Sequence, residues 1–288
     1  MLEQYFSKVT LDQEYKPFEL GSTVVKHNES FPNIENASVA LIGISTKTSN
    51  PSDKIRKELY SLVSQPVLEN KLVDLGNISE GETPADTHNQ LKTIAGELQS
   101  RGVVTILLGT SLEQGEALYQ SFESAEELVE ATLISSHLPL LEYQLLYRIC
   151  NYEPNFLQNI NALAFQSHYI PPKALDTLEN LNFGHYRLGA LKQNIEEAEL
   201  YLRNSKVVMY DANAIKHSDT PSTSKTQPNG LTGEEACQLA RYSGLSESTK
   251  CFGLFEYVPE NDSNNITAKT LAQLVWYFLD GYANRTND

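Results

Sequence analysis

Two short apolar runs in the C-terminal third of the chain end on acidic side chains, and those ends are where chemistry would sit. Residues 206–213 read KVVMYDAN: Val207, Val208, Met209 and Tyr210 form an apolar run that stops at Asp211 and Asn213. That is the look of a buried parallel strand whose C-terminal end opens onto a cleft. Residues 251–257 form a second such run, finishing on Glu256 with Pro259 close behind. Neighbouring strands that deliver carboxylates at their C-terminal ends place them at the usual ligand face of an open α/β sheet. Carboxylate oxygens are also the donors that hard divalent cations take.

Between the two runs lies a polar stretch carrying Pro221 and Pro228, and then Thr232-Gly-Glu-Glu235. The latter is a capping box, in which the threonine hydroxyl and the Glu235 carboxylate satisfy free amides at a helix start. Other catalytic patterns are missing. There is no Gly-x-Ser-x-Gly elbow and no Gly-rich phosphate loop of the Walker or Rossmann kind. His168 and His185, beside Tyr169 and Tyr186, read as packed or surface residues.

Strand and helix alternate along the rest of the chain. Apolar runs at 39–45, 71–76, 103–109, 128–135, 161–166 and, more weakly, 186–188 join the two C-terminal ones to give about eight strands. Helical periodicity marks 52–62, 83–101, 112–122, 139–150, 173–181, 195–203 and the apolar closing segment 267–282. Gly102 stands where a left-handed C-terminal residue is expected. The alternation predicts a three-layer αβα fold with a mainly parallel sheet and right-handed crossovers. Residues 1–36 lack periodicity and are read as an N-terminal extension docked on the body or on a neighbouring subunit. Residues 37–288 are read as a single domain.

The order strand-Asp-x-Asx, polar loop with proline, GLTGEE, strand-Glu-x-x-Pro resembles the C-terminal third of the ureohydrolase superfamily: arginases, agmatinases and formimidoylglutamases. PNGLTGEEACQLARYSGLS and LAQLVWYFLDGY look most like a divergent formimidoylglutamase-like branch. The likeness covers roughly residues 37–284 and implies an arginase-like fold. It also implies a pair of Mn²⁺ ions that bridge and deprotonate a water for C–N hydrolysis. In that family an Asp-x-Asp after one strand supplies metal ligands, and a later Glu pairs with the substrate's cationic nitrogen group. Here those positions are Asp211, Asn213 and Glu256.

The other ligand positions implied by the resemblance have changed type. Ser111 stands where the family has a histidine; in the family's Asp-x-His-x-Asp set, Ser135 and Pro139 replace the two aspartates and only His137 remains. One carboxylate is left where the family has four, and two close dications need that negative charge. The expectation is a protein of this family whose binuclear site is largely lost, catalytically inactive, with no cofactor, serving ligand binding or protein interaction. Asp211 is then a vestigial ligand, free to cap a loop, and Asn213 a degenerate one. Glu256 remains able to bind a small cationic ligand or to pair with a local cation.

The alternative is an active hydrolase of a guanidino or formimino C–N bond, with Mn held in a reduced or rebuilt site. His217 and Asp219, just beyond Asp211, would join His137 and Asp211 in such a set by ligand type. Their spacing is no recognised motif, and a solvated loop is the favoured account of them.

The chain has 288 residues, 22 Lys and Arg against 37 Asp and Glu, and a formal charge of −15. That charge argues against nucleic acid and anionic membrane as partners. No apolar run reaches the length of a membrane span, and the N-terminus lacks the pattern of a secretory signal. Three cysteines without metal-type spacing point to a reducing cytoplasm, and the six Asn-x-Ser/Thr sequons are then chance. Trp276, Tyr277, Phe278 and Tyr282 on the closing helix raise a homo-oligomer contact, although such a stripe is more often core.

Overall fold

The computed structural model describes residues 2–11, 13–125 and 127–285. Ten strands form one sheet: β1 (Phe6–Ser7), β2 (Val25–Lys26), β3 (Val39–Ser45), β4 (Leu72–Ser79), β5 (Val104–Leu108), β6 (Val129–Ile134), β7 (Leu157–Leu163), β8 (Gly184–Tyr186), β9 (Val207–Asp211) and β10 (Cys251–Phe255). Their spatial order is β1-β4-β3-β5-β10-β9-β6-β7-β8, with β2 also pairing to β4. Every pairing is parallel except β1 with β4.

The eight strands legible in the sequence are β3–β10. The two additional ones, β1 and β2, come from within the first 36 residues and pair with β4, and Leu20 and Val24 of the same stretch are buried in the core.

Among the described residues ten α-helices connect and cover the strands: α1 (Leu20–Thr23), α2 (Pro51–Tyr60), α3 (Pro84–Ser100), α4 (Gly115–Gln120), α5 (Leu145–Cys150), α6 (Pro172–Asn180), α7 (Leu188–Gln193), α8 (Ala198–Leu202), α9 (Gly233–Leu245) and α10 (Ile266–Ala283). Two apolar clusters, one on each face of the sheet, make the three layers. On one face α9 and α10 pack closely because Gly244 and Gly281 meet the facing backbone. A Cβ on Gly244 would stand 2.1 Å from the Phe278 carbonyl oxygen.

Helix starts follow the capping chemistry of the sequence. Thr232 Oγ1 accepts from Glu235 N at 3.1 Å and Thr232 N donates to the Glu235 carboxylate at 2.8 Å. Gly102 has φ +73° at the close of α3, as expected of a left-handed C-terminal residue. The buried Asp262 accepts from Thr267 N and Ala268 N and so caps α10. On α10, Leu271, Leu274, Val275 and Phe278 are core, whereas Trp276 donates its indole N–H to the Val63 carbonyl at 2.6 Å.

Three sequence expectations shift. The helix expected over 139–150 is confined to Leu145–Cys150, because Leu138–Gln144 runs as a loop pinned by Leu146 N to the Pro139 carbonyl at 2.8 Å. The strand expected at 161–166 runs from Leu157 to Leu163. The weak strand at 186–188 lies at Gly184–Tyr186, and Leu188 opens α7, which the sequence reading missed. Short segments with mixed periodicity carry little information about their ends.

Candidate functional site

The four central strands β5, β10, β9 and β6 are adjacent. Their C-terminal ends therefore bring together Ser111, Glu256, Asp211 and Ser135. Asp211 is 3% exposed, and both of its carboxylate oxygens are taken by protein donors. The Ser135 hydroxyl donates to Oδ2 at 2.6 Å, and the Asn213 backbone N–H donates to Oδ1 at 2.8 Å. Ser135 Oγ in turn accepts from His137 N at 3.2 Å.

Asn213 continues the chain of bonds. Its amide Nδ2 donates to Ser224 Oγ at 3.1 Å, and its Oδ1 accepts from Lys225 N at 2.7 Å. The Ser224 hydroxyl donates to the Glu256 carboxylate, whose other oxygen accepts from Leu112 N at 2.7 Å. Ser135, Asp211, Asn213, Ser224, Glu256 and Leu112 thus form a continuous hydrogen-bonded path across the strand ends. Glu256 has φ +72°, a left-handed backbone that costs a non-glycine residue roughly 1 kcal/mol. Its carbonyl accepts from Ser224 N at 3.1 Å, which helps fix that conformation.

The remaining sequence candidates are placed as follows. Ser111 caps the short turn 112–114, accepting from Glu113 N. Pro139 sits in the loop after β6. The His137 ring is half-buried, stacks on Tyr169 with centroids 4.6 Å apart, and bonds through Nδ1 to the Ser136 hydroxyl at 2.8 Å. Burial, and then the nearby Lys225 and His168, push its pKa down. The His217 backbone N–H donates to the Gln227 carbonyl at 2.6 Å. Asp219 is committed to the start of α9: it accepts from Gly233 N at 2.7 Å and from Ser218 and faces Lys216. Partial burial opposes ionisation there, but these donors hold its carboxyl below the usual range. His185 bonds to the Phe183 carbonyl. Among the described residues, no three His, Cys, Asp or Glu side chains are grouped so as to hold a metal ion.

Ser224, Lys225 and the Leu112 amide belong to the site and were missed from sequence. The first two lie in the polar loop 218–229, whose composition reads as solvated. It is instead folded back by bridges from Lys216 to Gln227 and from Thr223 to Tyr257. No sequence pattern marks the Leu112 amide.

Burial, opposed by the Ser135 and Asn213 hydrogen bonds and reinforced by the charge of Glu256, raises the Asp211 pKa to about 6. Its unfolded counterpart ionises near 3.8. A raised carboxylate pKa makes ionisation unfavourable in the folded state, so stability falls as pH rises from about 4 to 6 and is level beyond. The total is about 3 kcal/mol. We expect Asp211→Asn, which keeps the shape, still accepts from the Asn213 N–H and can donate its amide to the Ser135 hydroxyl, to remove that contribution. Urea midpoints of the two proteins between pH 4 and pH 7 measure it; parallel pH profiles would refute the assignment.

The fold has known counterparts. The sequence model of the arginase family matches residues 177–280. A formiminoglutamase of Trypanosoma cruzi, solved with Mn²⁺, superposes with a TM-score of 0.79 at 18% identity, covering 93% of this chain and 99% of that one. A formimidoylglutamase from Bacillus subtilis gives 0.80 at 14% identity, covering 98% and 97%. An agmatine ureohydrolase of Thermoplasma volcanium gives 0.71 at 17% identity, covering 86% and 91%. No curated protein sequence matches. Together the family match and the fold place the chain among proteins of the arginase, or ureohydrolase, fold, with formiminoglutamases and an agmatinase as its structural relatives.

Proposed function

We propose that this is a ureohydrolase-fold protein in which hydrogen bonds have taken over the place of a binuclear metal cluster, and that it binds a ligand or partner without hydrolysing a C–N bond. The observation that carries the reading is the occupancy of Asp211. Both its oxygens accept from Ser135 and Asn213, so the one carboxylate left at these positions is held by protein donors, with no second carboxylate beside it to balance a cation pair. The Glu256 carboxylate is committed in the same way to Ser224 and Leu112.

The residues present do not fit two divalent ions. A metal pair needs several carboxylates to offset the loss of its hydration and the mutual repulsion of the ions. Ser111, Ser135, Pro139 and Asn213 supply none, and Asp219 is engaged at the start of α9. A single-metal set of His137, Asp211, His217 and Asp219 gains no support from this geometry. The free cysteines, two of them buried, suit a reducing compartment such as the cytoplasm.

The test is metal analysis of protein purified with added Mn²⁺, together with assays for urea, ammonia or formamide release from arginine, agmatine and formiminoglutamate. We expect less than about 0.1 equivalent of metal and no product, against the two-ion stoichiometry of a binuclear site. Near-stoichiometric metal that disappears in Asp211→Ala would overturn the proposal and restore a metal-dependent hydrolase.

A further inference from the structure

We propose that the cavity at the C-terminal ends of β7 and β8 binds a small organic anion, a carboxylate or phosphate carried on an apolar body. The cavity, about 540 Å³, is lined by Arg187, Lys192, Lys216 and His168, with Phe165 and Leu188 as its apolar wall. Among the described residues no Asp or Glu lines it. Lys192 and Lys216 are offset by Glu235 and Asp219 just outside the lining, which leaves Arg187 as its uncompensated cation among the described residues. A volume of this size is typical of small-ligand sites.

The cations differ in how far they are committed. The Lys192 ammonium donates to the Gly230 carbonyl at 3.0 Å and pairs with Glu235 at 2.9 Å. Lys216 faces Asp219 at 3.6 Å. Among the described residues Arg187 has no ion pair, and its side chain is exposed at the cavity. A planar guanidinium with free donors is the group best shaped for bidentate recognition of a carboxylate or phosphate. The two lysines stay in their own pairs with Glu235 and Asp219, so Arg187 carries the site's net charge.

The cavity is built rather than incidental. One wall is the segment 227–231, held against 214–216 by Leu231 N to the Ala214 carbonyl and Lys216 N to the Leu231 carbonyl, both 2.9 Å. Gly230 permits this approach, since a Cβ there would lie 2.6 Å from the Ala214 oxygen. Gln166, 5% exposed, donates to the Asn229 carbonyl at 3.0 Å and ties the end of β7 to the same wall. The cavity also adjoins the central cleft, because the His168 ring lies against Tyr169, which stacks on His137. The larger cavity of about 820 Å³ near Ser111 differs in kind: its Arg148 is neutralised by Glu113 and Glu116, and Glu80 and Glu82 also line it.

This inference does not depend on whether the central cleft holds metal. Isothermal titration of the full chain with inorganic phosphate and, separately, with L-glutamate and phenylacetate tests it at low ionic strength. The expected result is saturable binding of at least one probe with Kd about 1 mM or tighter. Arg187→Ala should weaken it about tenfold or more, Arg187→Lys less, and Lys47→Ala, in the other cavity, not at all. Circular dichroism of each variant confirms that it is folded. Absence of saturable binding for all three probes, or affinity unchanged in folded Arg187→Ala, would overturn the proposal. Preference for phenylacetate over phosphate would identify a carboxylate on an apolar body; the reverse would identify a phosphate.

Discussion

Replacing Asp74 with alanine is expected to cost the folded chain about 3–5 kcal/mol, the range for breaking a fully buried ion pair by removing one partner. Arg56 and Asp74 are both 0% exposed. Arg56 Nε donates to Asp74 Oδ2 at 2.7 Å and a terminal guanidinium nitrogen donates to Oδ1 at 3.0 Å. The same carboxylate accepts from the Tyr60 hydroxyl and from Gly76 N. Other guanidinium donors are spent on the Gly76 carbonyl, Asn77 and Asp53. Without Asp74, a buried cation keeps only Asp53, whose side chain is 21% exposed, as a nearby counterion.

The large loss reflects the orphaned charge more than the worth of the pair. A double replacement, Arg56→Met with Asp74→Leu, should therefore recover most of the lost stability. Urea unfolding of the parent, the single and the double variant measures both. A single-variant loss under about 1 kcal/mol would show that water or Asp53 compensates the guanidinium. A double variant no better than the single would show that α2 and β4 depend on the polar network itself.

That network also marks where sequence reading stops. Ile55, Leu59 and Leu62 show helical spacing, so α2 and its apolar face are legible. Nothing in the spacing says that Arg56, on the same helix, lies wholly inside. The strands were legible because parallel strands buried on both faces are continuous apolar runs, as in Val39–Ile44 and Val207–Tyr210. Their C-terminal ends located Asp211 and Glu256 for the same reason. What joins those two carboxylates was invisible: Ser224 reaches Glu256 across 32 positions and Ser135 reaches Asp211 across 76. Such partners are set by sheet order, which places β10 between β5 and β9. The two short strands within the first 36 residues were hidden for a different reason. Two-residue strands such as Phe6–Ser7 are too short to show alternation, and they exist because the β4 edge offers unpaired backbone groups.

The hydrogen bond from Ser135 to Asp211 makes Ser135→Asp a direct test of the proposed loss of the metal cluster. The serine hydroxyl stands 2.6 Å from the Asp211 carboxylate, inside the protein. An aspartate there removes a donor and sets a second carboxylate beside the first. Two like charges about 4 Å apart repel by about 4 kcal/mol even at an effective dielectric of 20. The pair will respond by sharing a proton and titrating as a unit, its upper apparent pKa raised well above the ordinary carboxylate range. Raised pKa values mean that stability is lost as pH rises through the window between the unfolded and folded values. The variant should therefore be about 3–5 kcal/mol less stable than the parent at pH 8 and approach it toward pH 5. Ser135→Ala separates the two causes, since losing the donor alone costs about 1–3 kcal/mol. Added Mn²⁺ should raise the melting temperature of the Ser135→Asp protein and leave the parent unchanged, because only the variant has carboxylate charge in excess of its donors. A Ser135→Asp protein as stable as the parent at pH 8 without metal would mean that Asp211 does not depend on the serine. The serine hydrogen bond would then not be what holds the carboxylate in place.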